Sequence, residues 1–368
     1  MTIWTRRRRC WVHFVARLDP LHGLLACLRG DLPAAADWSA IIGLANKSLC
    51  SPTVSARLNN AGRLAELPAD VRIFLTEMER RNAERNERLL SQLDEAAGVM
   101  NAHDVRPLLL KGTAWLAHAP PQDRSARMLA DIDLMVAADR FGDVIDQLCS
   151  IGYRLEAPVV QPGVPAVLSR PQDAATIDLH CEYGSVSTLF YLFDDLAESA
   201  TEVALPGSRV LLPSPVACTA ILLLHDQLKG RDYLRGRIDL RHLVDIKSFA
   251  AGFGEADWAE LNRLFASAYA RNAMRTQLLT ASRLLGMTVP RTMTRGVRPR
   301  LQYRRRLIQL RWPGMAPFLT LLSLLDPCYL SARRAARRQG RAGPMAGAGL
   351  PRRESVERLF LRNELGKI

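Results

Sequence analysis

The chain has few lysines, few aromatic residues and no closely spaced cysteine pairs. Only five of its 50 basic residues are Lys, and aromatic residues make up 6% of its 368 residues. Seven cysteines and seven histidines are dispersed without a Cys-x-x-Cys pair, which argues against a disulfide framework and a structural zinc site. No apolar run reaches the roughly 18 residues that a membrane-spanning helix needs. These absences predict a cytoplasmic protein with free thiols.

Positive charge is concentrated in one part of the chain. The formal net charge is +13, yet residues 291–368 alone contain 18 Arg or Lys and four Asp or Glu, a net of +14. The remainder therefore carries about −1 (13 − 14), so a uniformly basic DNA-binding domain is not expected. Aromatic residues are widely separated within the basic segment, which argues against a platform for stacking bases.

Hydrophobic patterns predict an α+β fold with helical regions on both sides of a small mixed sheet. A spacing of three to four residues over 71–100 predicts a long helix in an N-terminal helical region, residues 1–103. Asn82 and Asn86 fall on its apolar stripe and are interpreted as packed side chains or as groups facing a cleft. The predicted α/β core, residues 104–212, has a helix over 139–150 and strands over 107–110, 132–136, 177–180 and 209–212.

The remainder of the chain is predicted to be helical. Ser214-Pro215 is a helix start that opens a C-terminal helical region, residues 213–290, with a loop between Gly230 and Gly236 and further helices over 238–251 and 257–285. Seven prolines and several arginine clusters follow residue 286. We therefore expect residues 291–368 to form a basic, partly flexible tail of loosely attached helices.

Three aspartates in predicted strands are the main candidates for catalysis and metal binding. Asp131 and Asp133 are two residues apart, so a strand directs both carboxylates to one face, about 6.5–7 Å apart. Asp178 lies in a second strand, with His180 on the same face. If these strands are neighbours, three carboxylates converge in the arrangement that holds two Mg²⁺ ions for phosphoryl or nucleotidyl transfer. The alternative is that Asp131 and Asp133 are surface acids at a strand end.

A short turn precedes these aspartates. Lys111-Gly112-Thr113 follows an apolar strand and opens a helix, where backbone N–H groups can approach a phosphate. Lys111 and Thr113 would add an ammonium and a hydroxyl. The spacing of a Walker loop is absent, so a P-loop kinase or ATPase is not supported. Taken alone, the segment is interpreted as an ordinary turn.

The combined pattern resembles a known family. The runs LLLKG at 108–112, RMLADIDLMV at 127–136, CSIGY at 149–153 and TIDLHCEYG at 176–184 occur in order, followed by LHDQ at 224–227 and DLRHLVD at 239–245. Together they are similar to the uncharacterised nucleotidyltransferase family of the polymerase-β-like superfamily, over roughly residues 38–290.

The resemblance implies roles for most of these residues. Gly112 and Thr113, with Lys111 beside them, take the place of the superfamily's glycine-serine phosphate-binding turn. Asp131 and Asp133 match its paired metal ligands. Asp178 matches the third carboxylate, which also assists in removing a proton from the acceptor.

Other positions are candidates for contacts with the nucleotide or the acceptor. Arg127 matches a basic position of the family and would pair with a triphosphate, or else it forms a surface salt bridge. His180, His225, Asp226 and Asp239 are candidates for the acceptor side, with structural roles as the alternative. Arg241 and Asp245, at i and i+4, are expected to form a surface pair.

The sequence therefore predicts a Mg²⁺-dependent nucleotidyltransferase. It would transfer a nucleoside monophosphate, with AMP favoured, from an NTP to a hydroxyl of a small molecule or protein, using two Mg²⁺ or Mn²⁺ ions. The alternatives are a metal-dependent nucleotide-sugar glycosyltransferase, in which Asp178 has no assigned role, and an inactive nucleotide-binding protein. The basic tail is either solvated or a weak contact for an anionic partner or membrane surface.

Overall fold

The computed structural model describes residues 19–157, 164–185, 189–338 and 366–368, in which a mixed sheet lies between two groups of helices. Four helices precede the sheet: α1 Asp19–Arg29, α2 Trp38–Lys47, α3 Ser51–Asn60 and α4 Ala69–Asn101. Three shorter helices lie between its strands: α5 Lys111–His118, α6 Phe141–Ser150 and α7 Phe193–Ala197. The predicted long helix over 71–100 is confirmed as α4.

Seven strands form the main sheet and two form a separate hairpin. The strands are β1 Leu108–Leu109, β2 Ile132–Met135, β3 Arg154–Leu155, β4 Ala166–Ser169, β5 Ile177–His180, β6 Glu182–Ser185, β7 Leu189–Leu192, β8 Thr201–Ala204 and β9 Arg209–Leu212. The order in the main sheet is β3-β4-β5-β2-β1-β9-β8, and β6 pairs with β7. Strands β2 and β5 are parallel neighbours, while β1 is antiparallel to β2 and parallel to β9. The predicted α+β class is confirmed.

Five strands were not predicted from the sequence: β3, β4, β6, β7 and β8. Strand β3 has two residues, and β8 has mostly exposed side chains at the edge of the sheet. Such strands lack the run of apolar residues on which the prediction depended. The four predicted strands all have a neighbour on each side in the sheet and are largely buried.

The second group of helices differs from the prediction in two places. It begins with α8 Pro215–Leu223, a π-helical turn Leu224–Lys229, α9 Asp232–Arg235, α10 Leu240–Phe249, α11 Glu255–Leu264 and α12 Ala268–Leu285. A single helix over 257–285 is wrong, because Ser267 caps a new helix by accepting a hydrogen bond from the backbone N–H of Ala270 at 3.1 Å. The expected loop between Gly230 and Gly236 instead contains the buried turn α9.

The expectation of loosely attached helices after residue 286 is wrong for the part that the structure describes. That part contains α13 Arg291–Thr294, α14 Val297–Arg311, α15 Ala316–Leu324 and α16 Pro327–Arg338. Arg306 is buried and donates to Gln277 Oε1 at 2.7 Å and Thr280 Oγ1 at 3.0 Å on α12. The preceding residue, Arg305, donates to two carbonyls of α9. These arginines attach α14 to the helices beneath it.

Residues 366–368 also pack against the protein. Ile368 and Ile238 exchange two backbone hydrogen bonds, and Lys367 Nζ donates to Asp232 Oδ2 at 2.7 Å. The apolar core is continuous from α1 to α13. The division into regions at 103/104, 212/213 and 290/291 stays a prediction. In the described ranges, no single helix is long and apolar enough to cross a membrane; the bent pair Pro313–Leu324 and Pro327–Ala335 meets that test only when taken together.

Helix α4 holds the segment that leads into β2. Asn82 Nδ2 donates to the carbonyls of Ser125 and Arg127, and Asn86 Nδ2 donates to those of Arg124 and Arg127. The two asparagines on the apolar stripe are therefore buried hydrogen-bond donors. They fix the chain a few residues before Asp131.

Replacing Asn86 by Ala should destabilise the protein by about 1–3 kcal/mol, because two buried carbonyls lose a donor. Urea unfolding of the full chain measures this change. The matched control is Arg81→Ala on the same helix, where the side chain is 65% exposed and the expected change is within about 0.5 kcal/mol. Equal effects of the two substitutions would contradict the assigned role of Asn86.

Candidate functional site

The parallel pairing of β2 and β5 brings the three predicted aspartates together. Asp133 is directly opposite Asp178 in the strand register, and Asp131 immediately precedes β2. Each of the three contributes a carboxylate oxygen, and these oxygens all lie within 4.8 Å of one another. Asp133 is buried, while Asp131 and Asp178 are partly exposed. This cluster can therefore present oxygen ligands to a cation that approaches from solvent.

Lys111 neutralises part of the cluster. Its Nζ forms a close ion pair with Asp133 Oδ1, and His180 Nε2 lies 3.4 Å from the same oxygen. Burial alone would raise the pKa of Asp133, but Lys111 and His180 outweigh it and hold this pKa at about 2. Lys111 is itself buried, which favours its neutral form, yet the charges around it raise its pKa overall. Asp133 is thus a carboxylate at neutral pH.

The other two carboxylates lack such compensation. Burial, followed by the charges of Asp133 and Asp131, raises the pKa of Asp178 to about 6. Burial and the charge of Asp133 likewise raise the pKa of Asp131. Three clustered acids with one close ammonium therefore have an excess of negative charge, which favours binding of a proton or a further cation.

The turn Lys111-Gly112-Thr113 packs against β2. Thr113 is buried, and its Oγ1 accepts a hydrogen bond from the backbone N–H of Asp133 at 2.9 Å. Gly112 is buried too. A Cβ at this position would lie 3.3 Å from Arg127 Nη2 and 3.4 Å from Leu129 Cγ. Lys111 has φ +46°, a left-handed conformation that is uncommon for a residue with a side chain. A phosphate contact of this turn stays a prediction.

Arg127 is bound inside the protein and is not part of a surface salt bridge. Its Nε donates to both carboxylate oxygens of Asp245, at 3.1 and 3.0 Å, and its Nη2 donates to Oδ2 at 2.9 Å. Both side chains are buried. The expected surface pair of Arg241 with Asp245 is therefore wrong, and Arg241 instead pairs with Asp239 at 3.2 Å. The predicted contact of Arg127 with a triphosphate would compete with its bonds to Asp245.

A buried network connects the site to the C-terminal helices. The Tyr183 hydroxyl and His225 Nδ1 are 2.9 Å apart, and the rings of His225 and His242 are in edge contact. His242 Nδ1 lies 2.8 Å from Asp226 Oδ1, and the carboxylate of Asp239 accepts from the first backbone N–H groups of α10. Burial holds the pKa of His225 well below its usual value, so this ring is neutral.

The predicted acceptor-side residues are mostly enclosed. Asp226 and Asp239 are buried and bonded within the network, and His180 is buried against Asp133. His225 is partly exposed. An acceptor contact of Asp226 or Asp239 would require this network to rearrange, so those assignments stay predictions.

Sequence reasoning missed Lys229 and Tyr183. Lys229 Nζ lies 4.3 Å from the centre of the Tyr183 ring, and Lys111 Nζ lies 5.7 Å from it, so both ammonium groups contact one aromatic ring beside the cluster. Burial and the charge of Lys111 lower the pKa of Lys229 to about 8. The available signal was rarity, because Lys229 is one of only five lysines in an arginine-rich chain.

Comparisons with known proteins agree with this geometry. The model of a family described as "uncharacterised nucleotidyltransferase" matches residues 34–286. The chain belongs to this family, and the predicted resemblance over 38–290 is confirmed. A search of curated proteins finds no match.

Solved structures match about half of the chain. A solution structure of the antibiotic-resistance factor ANT(2'')-Ia is 16% identical, with a TM-score of 0.38, and the match covers 50% of this chain and 93% of that one. A crystal structure of ANT(2'')-Ia in complex with adenylyl-2''-tobramycin is 14% identical, with a TM-score of 0.37, and the match covers 48% of this chain and 96% of that one. A crystal structure of the lincomycin-bound lincosamide antibiotic adenylyltransferase LnuA is 21% identical, with a TM-score of 0.31, and the match covers 45% of this chain and 96% of that one.

Removing one partner of the buried Arg127–Asp245 pair should destabilise the protein by about 3–5 kcal/mol. Asp245→Asn leaves the guanidinium without its anion, whereas the double substitution Arg127→Met/Asp245→Leu should recover most of the loss. Urea unfolding with a double-mutant cycle measures the coupling. The control is Arg209→Met in an exposed pair with Glu202, where less than about 1 kcal/mol is expected. An Arg127→Met protein of unchanged stability but weakened NTP affinity would instead assign Arg127 to the nucleotide.

Proposed function

We propose that the protein transfers a nucleoside monophosphate, with AMP favoured, from an NTP to a hydroxyl of a small molecule or protein. The carrying observation is the cluster of Asp131, Asp133 and Asp178 on adjacent parallel strands, with carboxylate oxygens within 4.8 Å of one another. Membership of a nucleotidyltransferase family supports the same reaction class.

The cluster fits a divalent cation by its donor chemistry. Three carboxylates are the oxygen donors that Mg²⁺ and Mn²⁺ prefer, and the raised pKa values of Asp131 and Asp178 indicate negative charge that Lys111 does not balance. We infer that these three residues hold the metal, and that two ions are used. The metal would supply charge neutralisation at the phosphates and acidify the acceptor hydroxyl.

The protein's own groups have separate tasks in the reaction. The acceptor oxygen forms a bond to the α-phosphorus, the bond from that phosphorus to the bridging oxygen of the β-phosphate breaks, and pyrophosphate leaves with the electron pair. Asp178 accepts the proton of the hydroxyl at a carboxylate oxygen. Thr113 and the pairing of β2 with β5 keep Asp133 beside Asp178.

Two lysines provide positive charge for the triphosphate. Lys229 contacts the face of Tyr183 and Lys111 lies on the same ring, so both ammonium groups are beside the carboxylates. We assign the phosphate contact to Lys229 first, because Lys111 is already paired with Asp133. Gly112 and Thr113 support β2: Gly112 allows close packing against Arg127, and Thr113 accepts a hydrogen bond from the backbone N–H of Asp133.

The alternatives receive less support from the site. A nucleotide-sugar glycosyltransferase would use Asp131 and Asp133 but leaves Asp178 and the Lys111 turn without a task. An inactive binding protein would use the three carboxylates to hold metal and nucleotide, but it needs no group that accepts a proton from an acceptor hydroxyl. The binding experiment that follows discriminates among the three candidates.

Replacing Asp131 or Asp178 by Asn should weaken metal-dependent NTP binding on the order of 100-fold, because each change removes a charged oxygen ligand. Isothermal titration of the full chain with Mg²⁺ or Mn²⁺ and a non-hydrolysable ATP analogue measures the affinity. Asp143→Asn, at a side chain that is 66% exposed, is the control and should change nothing. Binding of a nucleotide-sugar without NTP binding would favour the glycosyltransferase. Metal-dependent NTP binding that gives no pyrophosphate with any acceptor tested would favour the inactive protein.

Replacing Lys229 by Met should weaken NTP binding about tenfold, since one charge-assisted contact is lost. In wild type the affinity should fall as the pH rises through about 8, because a lysine with a lowered pKa loses its proton there. Lys229→Arg should remove that pH dependence while keeping the affinity. Titrations at pH values on both sides of 8 test this, with Lys47→Met at an exposed position as the control. Unchanged binding by Lys229→Met would contradict the phosphate role.

A further inference from the structure

The two helices α14 and α15 turn apolar side chains toward solvent. On α15 and the residue after it, Phe318, Leu321, Leu322 and Leu325 follow the i, i+3, i+4, i+7 spacing of one helical face, and Leu325 is 67% exposed. On α14, Leu301 and Ile308 are exposed as well. We call these six side chains the outer face.

Both helices attach to the same buried turn through polar side chains. From α14, Arg305 donates to the carbonyls of Tyr233 and Leu234 at 2.8 and 2.9 Å. From α15, Ser323 Oγ donates to the Leu234 carbonyl at 2.6 Å. Because both helices lie on α9 through these inward groups, their outward sides point away from the rest of the protein. The outer face is therefore a surface of the two helices together.

The segment that carries this surface is strongly basic. Residues 291–338 contain twelve Arg and a single acid, Asp326. That acid is paired with Arg298 at 3.1 Å. Arg300 and Arg304 are exposed and lie on the same side of α14 as Leu301 and Ile308. The outer face thus combines an apolar stripe with arginines and no unpaired carboxylate from its own segment.

This combination is complementary to an anionic lipid surface. Apolar side chains would enter the boundary between headgroups and acyl chains, while arginines contact lipid phosphates. A second copy of the chain would bring like charges together, and a nucleic acid would leave the apolar stripe in water. We propose that the outer face docks the protein on the surface of a membrane that contains anionic lipid.

The structure indicates docking on the surface, not crossing of the bilayer. Thr320 and Ser323 on α15 are buried, and Ser323 is bonded to α9, so the inward side of this helix belongs to the protein interior. Asp326 accepts from Arg298 at the bend between α15 and α16. Insertion of the bent pair would break these contacts and place a carboxylate in hydrocarbon.

Cosedimentation of the purified full chain with vesicles tests the proposal. The probes are vesicles of phosphatidylcholine alone and of phosphatidylcholine and phosphatidylglycerol in equal parts. Wild type should bind the mixed vesicles at least about tenfold more tightly. Phe318→Asp/Leu322→Asp should lose about tenfold or more of that affinity. Ile73→Asp/Leu192→Asp, which places the same charges at exposed apolar residues elsewhere, should bind like wild type.

Further readouts separate the other occupants of this surface. Arg300→Gln/Arg304→Gln should fold normally and bind the mixed vesicles more weakly, so the proposal is testable even if the aspartate variant fails to fold. Binding to neither vesicle, equal binding to both, or equal loss in the two aspartate variants would overturn it. A lipid-free dimer in sedimentation velocity that Phe318→Asp/Leu322→Asp dissociates would assign the face to a second copy instead. Thermal melts establish which variants are folded.

Discussion

The burial of one positive charge, the guanidinium of Arg127, determines how helix α4, the sheet and helix α10 pack together. Its side chain is bound to Asp245 on α10, while its backbone carbonyl accepts from Asn82 and Asn86 on α4. A Cβ on Gly112 would lie 3.3 Å from that guanidinium, so the close approach favours glycine here. A buried charge is costly without its partner, so the Arg127–Asp245 pair holds α10 in one position relative to α4 and the sheet. Asp131 follows four residues later, so this position also fixes the carboxylate cluster.

The sequence contained enough information to predict the residues of the cluster. The side-chain period of two in a strand is local, so Asp131 and Asp133 on one face, and Asp178 on another strand, could be identified without the fold. What the sequence could not supply was the neighbour relation of β2 and β5. That relation depends on strands far apart in the chain, and only the family resemblance indicated it. The structure provides it through the register of Asp133 with Asp178.

Other contacts could not be predicted from the sequence, because charged residues are expected to be exposed to solvent. Arg305 and Arg306 belong to the most basic segment, yet both are buried and bonded to α9 and α12. Asp245 has Arg241 at the i, i+4 spacing of a surface pair, but its partner is Arg127, 118 residues away. Helical spacing is the same for a surface pair and for a buried partner, so only the tertiary packing decides between them. The edge strand β8 was missed for the related reason that its side chains are exposed.

Electrostatics connect the design of the site to its substrate. Asp131, Asp133 and Asp178 face Lys111 and Lys229, so the fully ionised site has one more negative than positive charge. A triphosphate would be repelled by that site, and metal bound to the carboxylates alone would leave Lys229 without an anionic partner. In the proposed function, metal and nucleotide together would satisfy both sets of groups, since the cation would balance the carboxylates and the phosphates would balance the lysines. Only five of the 50 basic residues are Lys, and two of these five, Lys111 and Lys229, contact the ring of Tyr183 beside the cluster.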